Sequence, residues 1–118
     1  MTDRMGDDTT GFSLEFGPLP PCVHVRAWGF WSAEIASSFG SVVRDACRGR
    51  PRGTTLELDM KDLKPMREEG QQSVTKLLDA LPTLGITATV IKTSSELTKL
   101  QMMRLVGERA KTAHVQFA

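Results

Sequence analysis

Alternating apolar and polar residues mark the middle of the chain. Residues 54–60 place Leu56, Leu58 and Met60 on one face and polar residues on the other, which predicts a strand buried on one side. Residues 61–65 break the alternation. From residue 67 onward, apolar spacings of three and four predict a helix. Its stripe consists of Val74, Leu77, Leu78 and Leu81.

Similar patterns predict elements on the N-terminal side. Residues 12–16 and 23–29 alternate, and the proline-rich stretch between them predicts a hairpin connection. Ser32 is a suitable N-cap for a first helix. The buried stripe predicted for that helix is Ile35, Phe39, Val42, Val43 and Ala46. Residues 1–11 are small and polar, and we expect them to be a disordered tail.

On the C-terminal side, residues 86–91 have a strand composition and residues 112–117 predict a short last strand. Between them, Thr93 and Glu96 have the spacing of a capping box. The third helix that they open ends at Gly107. Its predicted buried stripe is Leu97, Leu100, Met103 and Val106.

The order of elements predicts an α/β fold with a mainly parallel sheet of four to five strands, an N-terminal hairpin and three helices. Because the strands alternate and are not apolar throughout, we expect all three helices on one face of the sheet. Residues 12–118 would form this single domain. The residues expected on the uncovered face are Glu15, His24, Arg26, Trp28, Glu57, Asp59, Thr87 and Thr89.

Composition narrows the function. The 118 residues carry a formal net charge of +1, which does not favour nucleic acid or an anionic membrane as a partner. Cys22 and Cys47 show no disulfide framework, and reduced thiols in the cytoplasm are expected. No nucleophile–base pair, phosphate-binding loop or metal-ligand cluster is evident. We therefore expect no enzyme activity, no cofactor and no metal.

Residues 59–70 resemble the central motif of the STAS domains, the family of bacterial anti-sigma factor antagonists. That motif is a strand ending in Asp, a short turn, and Asp-Ser-Ser-Gly at the start of a helix. Asp59 matches the strand-end Asp and Gly70 the motif Gly, whereas Arg67, Glu68 and Glu69 stand in the Asp-Ser-Ser places. The resemblance in element order covers residues 12–117, including the Leu-x-Gly that ends the third helix at Gly107.

Two departures from the family pattern lead to further expectations. STAS domains usually finish with a fourth helix, which is missing here, and its loss would expose apolar surface and favour a homo-oligomer. In the family, the Ser next to the motif Gly is phosphorylated by a partner kinase, and phosphorylation weakens partner binding. Glu69 occupies that place. Either it imitates the modified state permanently, or it belongs to a re-coded surface for another partner, or it is merely a good helix-start residue.

The resemblance also indicates where a protein partner, such as an anti-sigma or kinase-like signalling protein, would bind. Family partners meet the turn before the first helix and the start of the second. The corresponding residues are Phe30, Trp31, Met66, Arg67, Glu68, Glu69 and Gln72. Phe30 could instead pack in the core, whereas Trp31 is expected to be exposed. The alternative function is binding of a nucleotide or lipid on the open face of the sheet.

Overall fold

The computed structural model describes residues 2–18, 21–107 and 114–118. Over these ranges the chain forms six strands, three α-helices and a 3₁₀ turn at Leu81–Leu84. The strands are β1 (Thr2–Gly6), β2 (Gly11–Pro18), β3 (Pro21–Gly29), β4 (Thr55–Leu63), β5 (Ala88–Lys92) and β6 (Val115–Phe117). The helices are α1 (Ala33–Cys47), α2 (Glu68–Ala80) and α3 (Glu96–Val106).

The strands form one sheet in chain order, β1-β2-β3-β4-β5-β6. β1, β2 and β3 pair antiparallel, and β3 to β6 pair parallel. Each helix connects neighbouring parallel strands, so right-handed crossovers bring all three helices to the same face. The predicted α/β fold with an N-terminal hairpin is confirmed, and β1 extends the sheet beyond the predicted four to five strands.

One row of paired residues shows where the core lies. Leu14, Val25, Leu58 and Ile91 stand side by side across β2 to β5, and each is almost fully buried. The helices pack on this row through their apolar stripes, including all four residues predicted for α2 and its following turn. The central strand and the helix after it are thus buried as their pattern predicts.

The predicted disordered tail is wrong for Thr2–Gly6, which forms β1 and pairs with β2. A tight connection stabilises this hairpin, because one carboxylate oxygen of Asp7 accepts from the Thr9 amide, the Thr9 hydroxyl and the Thr10 amide at 2.8, 2.7 and 3.2 Å. These bonds hold the pKa of Asp7 below its ordinary value, the Thr9 hydroxyl contributing most. The turn residues between Gly6 and Gly11 were the available signal.

α1 begins as predicted, with the Ser32 hydroxyl accepting from the Ile35 amide at 3.2 Å. Its interior glycine, Gly40, has a packing reason. The Gly40 amide donates to the Ser73 hydroxyl of α2 at 2.7 Å, and a Cβ at Gly40 would lie 2.6 Å from the Ser73 carbonyl oxygen. The absence of a side chain therefore lets α1 and α2 approach closely.

Two details of the C-terminal half differ from expectation. β5 has the opposite phase, because Thr89 pairs with Leu56 on the helix-covered face and is fully buried, not on the open face. Thr87, also expected there, precedes β5.

α3 is capped by Ser95 in place of Thr93, and it buries Thr98, Met102 and Val106. Three of the four residues predicted for its buried stripe are exposed: Leu97, Leu100 and Met103.

Candidate partner-binding surface

The first turn of α2 lies where the sequence predicts it, directly after the interior strand β4. Arg67 is the N-cap residue, with extended backbone and no side-chain capping bond. Glu68 and Glu69 are exposed in the first turn, where the helix dipole favours their negative charge. Gly70 faces Met66, whose Cβ would lie 3.0 Å from a Cβ added at the glycine. The predicted helix start at residues 67–70 is confirmed, whereas Asp59, expected at the strand end, lies inside β4.

The connection between β4 and α2 is fixed by two glutamines that sequence reasoning did not single out. The Gln101 side chain of α3 accepts from the Met66 amide at 2.7 Å and donates to the Met66 carbonyl at 2.8 Å. Gln71 donates to the same carbonyl at 3.0 Å. Arg104 in turn donates to the Gln71 side chain at 2.8 Å. Only spatial proximity reveals these contacts, because Met66 and Gln101 are 35 residues apart.

The connection between β3 and α1 lies beside it, since the Lys64 amide donates to the Gly29 carbonyl at 3.1 Å. Trp31 is not exposed as expected, whereas Phe30, for which both surface and core were open, lies on the surface. Trp31 is buried with 8% of its surface exposed, its ring packs on Phe39 at 4.7 Å, and its indole N–H donates to the Gly11 carbonyl at 3.0 Å. Phe30 is 63% exposed. The hydrogen bond to Gly29 and the burial of Trp31 hold the backbone on either side of the exposed Phe30 side chain.

These positions divide the predicted surface into two groups. The exposed members are Phe30, Arg67, Glu68, Glu69 and Gln72. Trp31 and Met66 are buried and cannot contact a partner without rearrangement; Met66 is only 7% exposed. Gln72 donates to the Glu68 carboxylate at 3.2 Å. Of the two first-turn acids, Glu68 is therefore hydrogen-bonded within its own helix.

Glu69 also lines a groove between α1 and α2. The cavity holds about 290 Å³ and includes the charged side chains of Arg44, Glu69 and Lys76. Small residues form its floor, because Gly40 and Ser73 bring the two helices together there. The groove offers both signs of charge and small polar groups, which is chemistry for contacting a protein surface.

The open face of the sheet carries ion pairs. The Glu57 carboxylate lies 3.4 Å from His24 Nδ1 and 3.1 Å from Lys92 Nζ. Arg26 contacts Asp62 at 3.0 Å. As expected, Glu15, His24, Arg26, Glu57 and Asp59 occupy this face, and Glu15 and Arg26 line cavities on it.

A cavity of about 570 Å³ opens on this face around Trp28. The Trp28 indole N–H donates to the Asp7 carbonyl at 2.8 Å, and the ring is only 7% exposed. The guanidinium groups of Arg4 and Arg26 lie over the ring, 5.3 and 5.1 Å from its centroid. Both arginines are already paired, Arg4 with Asp8 and Arg26 with Asp62. The groups that could stack on or bind a ligand are thus engaged within the chain.

The described ranges also lack the features of two other kinds of site. Among residues 2–18, 21–107 and 114–118, no three His, Cys, Asp or Glu side chains come together where they could hold a metal ion. None of the helices in these ranges has the length and apolar character that a membrane crossing requires.

Comparison with known proteins supports the fold. No protein-family model matches the sequence, and neither does any curated protein. Among solved structures, the chain is similar to an uncharacterized protein of the DUF3478 family from Shewanella loihica PV-4, described as having a SpoIIAA-like fold. The TM-score is 0.64 at 14% identity, over 96% of this chain and 88% of the other. At this identity the similarity shows the fold alone: the chain has a SpoIIAA-like, or STAS-like, α/β fold.

Proposed function

We propose that this chain is a non-enzymatic regulatory module that binds a signalling protein through the β3–α1 connection and the first turn of α2. The STAS-like fold supports the proposal, because STAS domains meet their partners at the two corresponding connections. The surface consists of Phe30, Arg67, Glu68, Glu69 and Gln72, and we call it the α2-start surface.

The observation that carries the proposal is the exposure of Phe30. A large aromatic side chain with 63% of its surface in solvent has no packing role that would explain it. Its carbonyl accepts from the Thr10 hydroxyl at 2.5 Å, and the next residue is fixed in the core. Because the backbone at Phe30 is already held, binding would cost little backbone entropy, and aromatic residues are frequent energetic centres of interfaces.

Glu69 gives this surface a permanent negative charge at the place where the STAS motif has its switchable Ser. Arg67 reverses the charge of the motif Asp two residues earlier. A surface that differs from the motif at both positions suits a different partner better than it imitates a phosphorylated Ser. We therefore propose that binding here is independent of serine phosphorylation.

The experiment is affinity capture from the source organism with matched substitutions. Phe30→Ser and Glu69→Lys should lose the partner captured by the wild-type chain while keeping its melting temperature, because both side chains are exposed. Glu15→Lys is the control, since it reverses the charge of an exposed acid elsewhere. Capture that is the same for all three variants would refute the α2-start surface.

The alternative is a small-ligand site in the cavity around Trp28 on the open face. Its size and its two arginines favour an anionic ligand such as a nucleotide, but both arginines are held by carboxylates. Thermal stabilisation by a nucleotide or lipid panel, lost in Arg26→Ala and retained in Phe30→Ser, would favour this function over partner binding.

A further inference from the structure

α3 presents apolar residues on two sides. Its inner side packs on the core through Met102 and Val106, and the Thr98 hydroxyl donates to the Leu63 carbonyl at 3.0 Å. Its outer side exposes Leu97, Leu100 and Met103, at 68%, 59% and 48% of their surface. No part of the described chain covers these three residues, although apolar side chains of this size usually become buried.

The exposed side has an internal symmetry centred on Leu100. At about 100° per residue, Leu97 and Met103 lie roughly 60° to either side of Leu100. Glu96 and Arg104 lie roughly 40° to either side of it. The outer side of α3 is therefore an apolar stripe with an acid at its N-terminal end and a base at its C-terminal end.

The two charges cannot satisfy each other within one chain. Glu96 and Arg104 are eight residues apart, which is about 12 Å along a helix axis. Within the part of the chain that the structure describes, Arg104 donates one hydrogen bond, to Gln71, and its side chain remains exposed. A surface with separated, opposite charges around an apolar centre is complementary to itself when it is turned end for end.

We propose that a second copy of this chain covers the outer side of α3, with the two α3 helices antiparallel about a two-fold axis at Leu100. In this arrangement Leu97 stands level with Met103 of the second copy, and Leu100 meets Leu100. Each Glu96 stands level with Arg104 of the second copy, within reach of the long arginine side chain. A parallel arrangement would instead place Glu96 beside Glu96, so the charges select the antiparallel one.

A depression beside the stripe fits the same occupant. It holds about 390 Å³ and is lined by Pro65, Leu97, Leu100, Gln101 and Arg104. Apolar side chains from a facing helix would enter it as knobs enter holes. Such a contact is small, so we expect a weak dimer with a dissociation constant on the order of 10 µM.

The test is sedimentation velocity between about 1 and 300 µM, a range that brackets a dissociation constant of that order. The wild-type chain should change from monomer to dimer, and Leu100→Lys should stay monomeric because it places two ammonium groups at the axis. Lys99→Glu is the control: this residue is also exposed but lies about 100° from Leu100, so the dimer should persist. A wild-type chain that stays monomeric, or a dimer that survives Leu100→Lys, would overturn the proposal.

A charge reversal tests the antiparallel arrangement itself. Glu96→Arg and Arg104→Glu should each weaken association about tenfold, which is about 1.4 kcal/mol, by placing like charges level with each other. The double variant restores opposite charges and should recover association, a result that a merely structural effect on α3 would not give. Failure of this recovery would reject the arrangement. Phe30→Ser should leave the dimer intact, so this outcome is independent of the α2-start surface.

Discussion

The two cysteines differ in how deeply their side chains are buried. Cys47 ends α1 inside the core with no exposed surface, whereas Cys22 in β3 is partly exposed. Burial raises the pKa of the Cys47 thiol to about 11, and the nearby Arg50 guanidinium offsets only part of that rise. Between about pH 9 and pH 11, the folded chain therefore keeps this thiol protonated, whereas an ordinary thiol loses its proton in that range.

We expect the Cys47 thiol to resist alkylation in the folded protein. In Cys22→Ser, iodoacetamide at pH 9 should label the chain only after urea unfolds it, whereas Cys47→Ala, which retains Cys22, should be labelled while folded. The raised pKa also determines how stability depends on pH. Because the unfolded chain loses the thiol proton at a lower pH than the folded chain, the free energy of unfolding falls as pH rises from about 9 towards 11. Rapid labelling of folded Cys22→Ser would contradict the burial of Cys47.

For single residues, the sequence predicted their place in a helix or strand better than the direction in which their side chains point. Glu69 lies in the first turn of a helix, as the motif frame predicts. Asp59 was expected at the end of its strand but lies inside β4, which continues through the exposed Lys61 and Asp62 to Leu63. Trp31 was predicted to be exposed and is buried, and the exposure of Phe30 was left open, since neither periodicity applies to the three-residue connection 30–32. Thr89 was placed on the wrong face because Thr and Val suit both sides of a short strand, so a one-residue error in phase inverts it.

Between elements, the α1–α2 contact depends on Gly40. Replacing it by Ala should gain about 1 kcal/mol of helix propensity. The added Cβ would lie 2.6 Å from the Ser73 carbonyl oxygen and 2.7 Å from its hydroxyl, so the helices must move apart. Overpacking of this kind costs up to about 3 kcal/mol and outweighs the gain.

We therefore expect Gly40→Ala to lower the free energy of unfolding by about 1–2 kcal/mol, measured by urea denaturation. The matched control is Ser41→Ala, one residue further along α1 and exposed, which should be neutral or slightly stabilising. Equal stability of the two variants would mean that α1 and α2 are not in close contact at Gly40.

The sequence missed β1 and predicted α3 with the wrong side buried, and each error has a physical reason. β1 is a short, polar edge strand that depends on the hydrogen bonds of the Asp7 turn, so its residues lack an apolar pattern. α3 has apolar residues on both sides, and the leucines give the stronger pattern, yet its buried side contains Thr98 and Met102. Hydrophobic periodicity identifies an apolar side of a helix but does not say which of two will meet the core.

For the whole molecule, a single core links nearly every element. Buried apolar residues from β2 to β5 and from all three helices belong to one cluster, whereas β1 adds only the partly buried Met5. A domain of this size with one core usually unfolds in one cooperative step. Because β1 has so few core contacts, it is the element that could unfold before the rest. One hydrogen bond opposes this, since the Trp28 indole donates to the Asp7 carbonyl at 2.8 Å.

The two tryptophans report separately on these regions. Trp28→Phe leaves Trp31 as the reporter inside the core, and Trp31→Phe leaves Trp28 as the reporter beside the Asp7 turn. In each variant we expect the urea midpoint from fluorescence to coincide with that from far-UV circular dichroism, because the Trp28 indole bond joins the hairpin to β3. A fluorescence transition of Trp28 at lower urea than the circular dichroism midpoint would show that β1 opens before the core unfolds. Comparing two probes within one variant removes any effect of the substitution on overall stability.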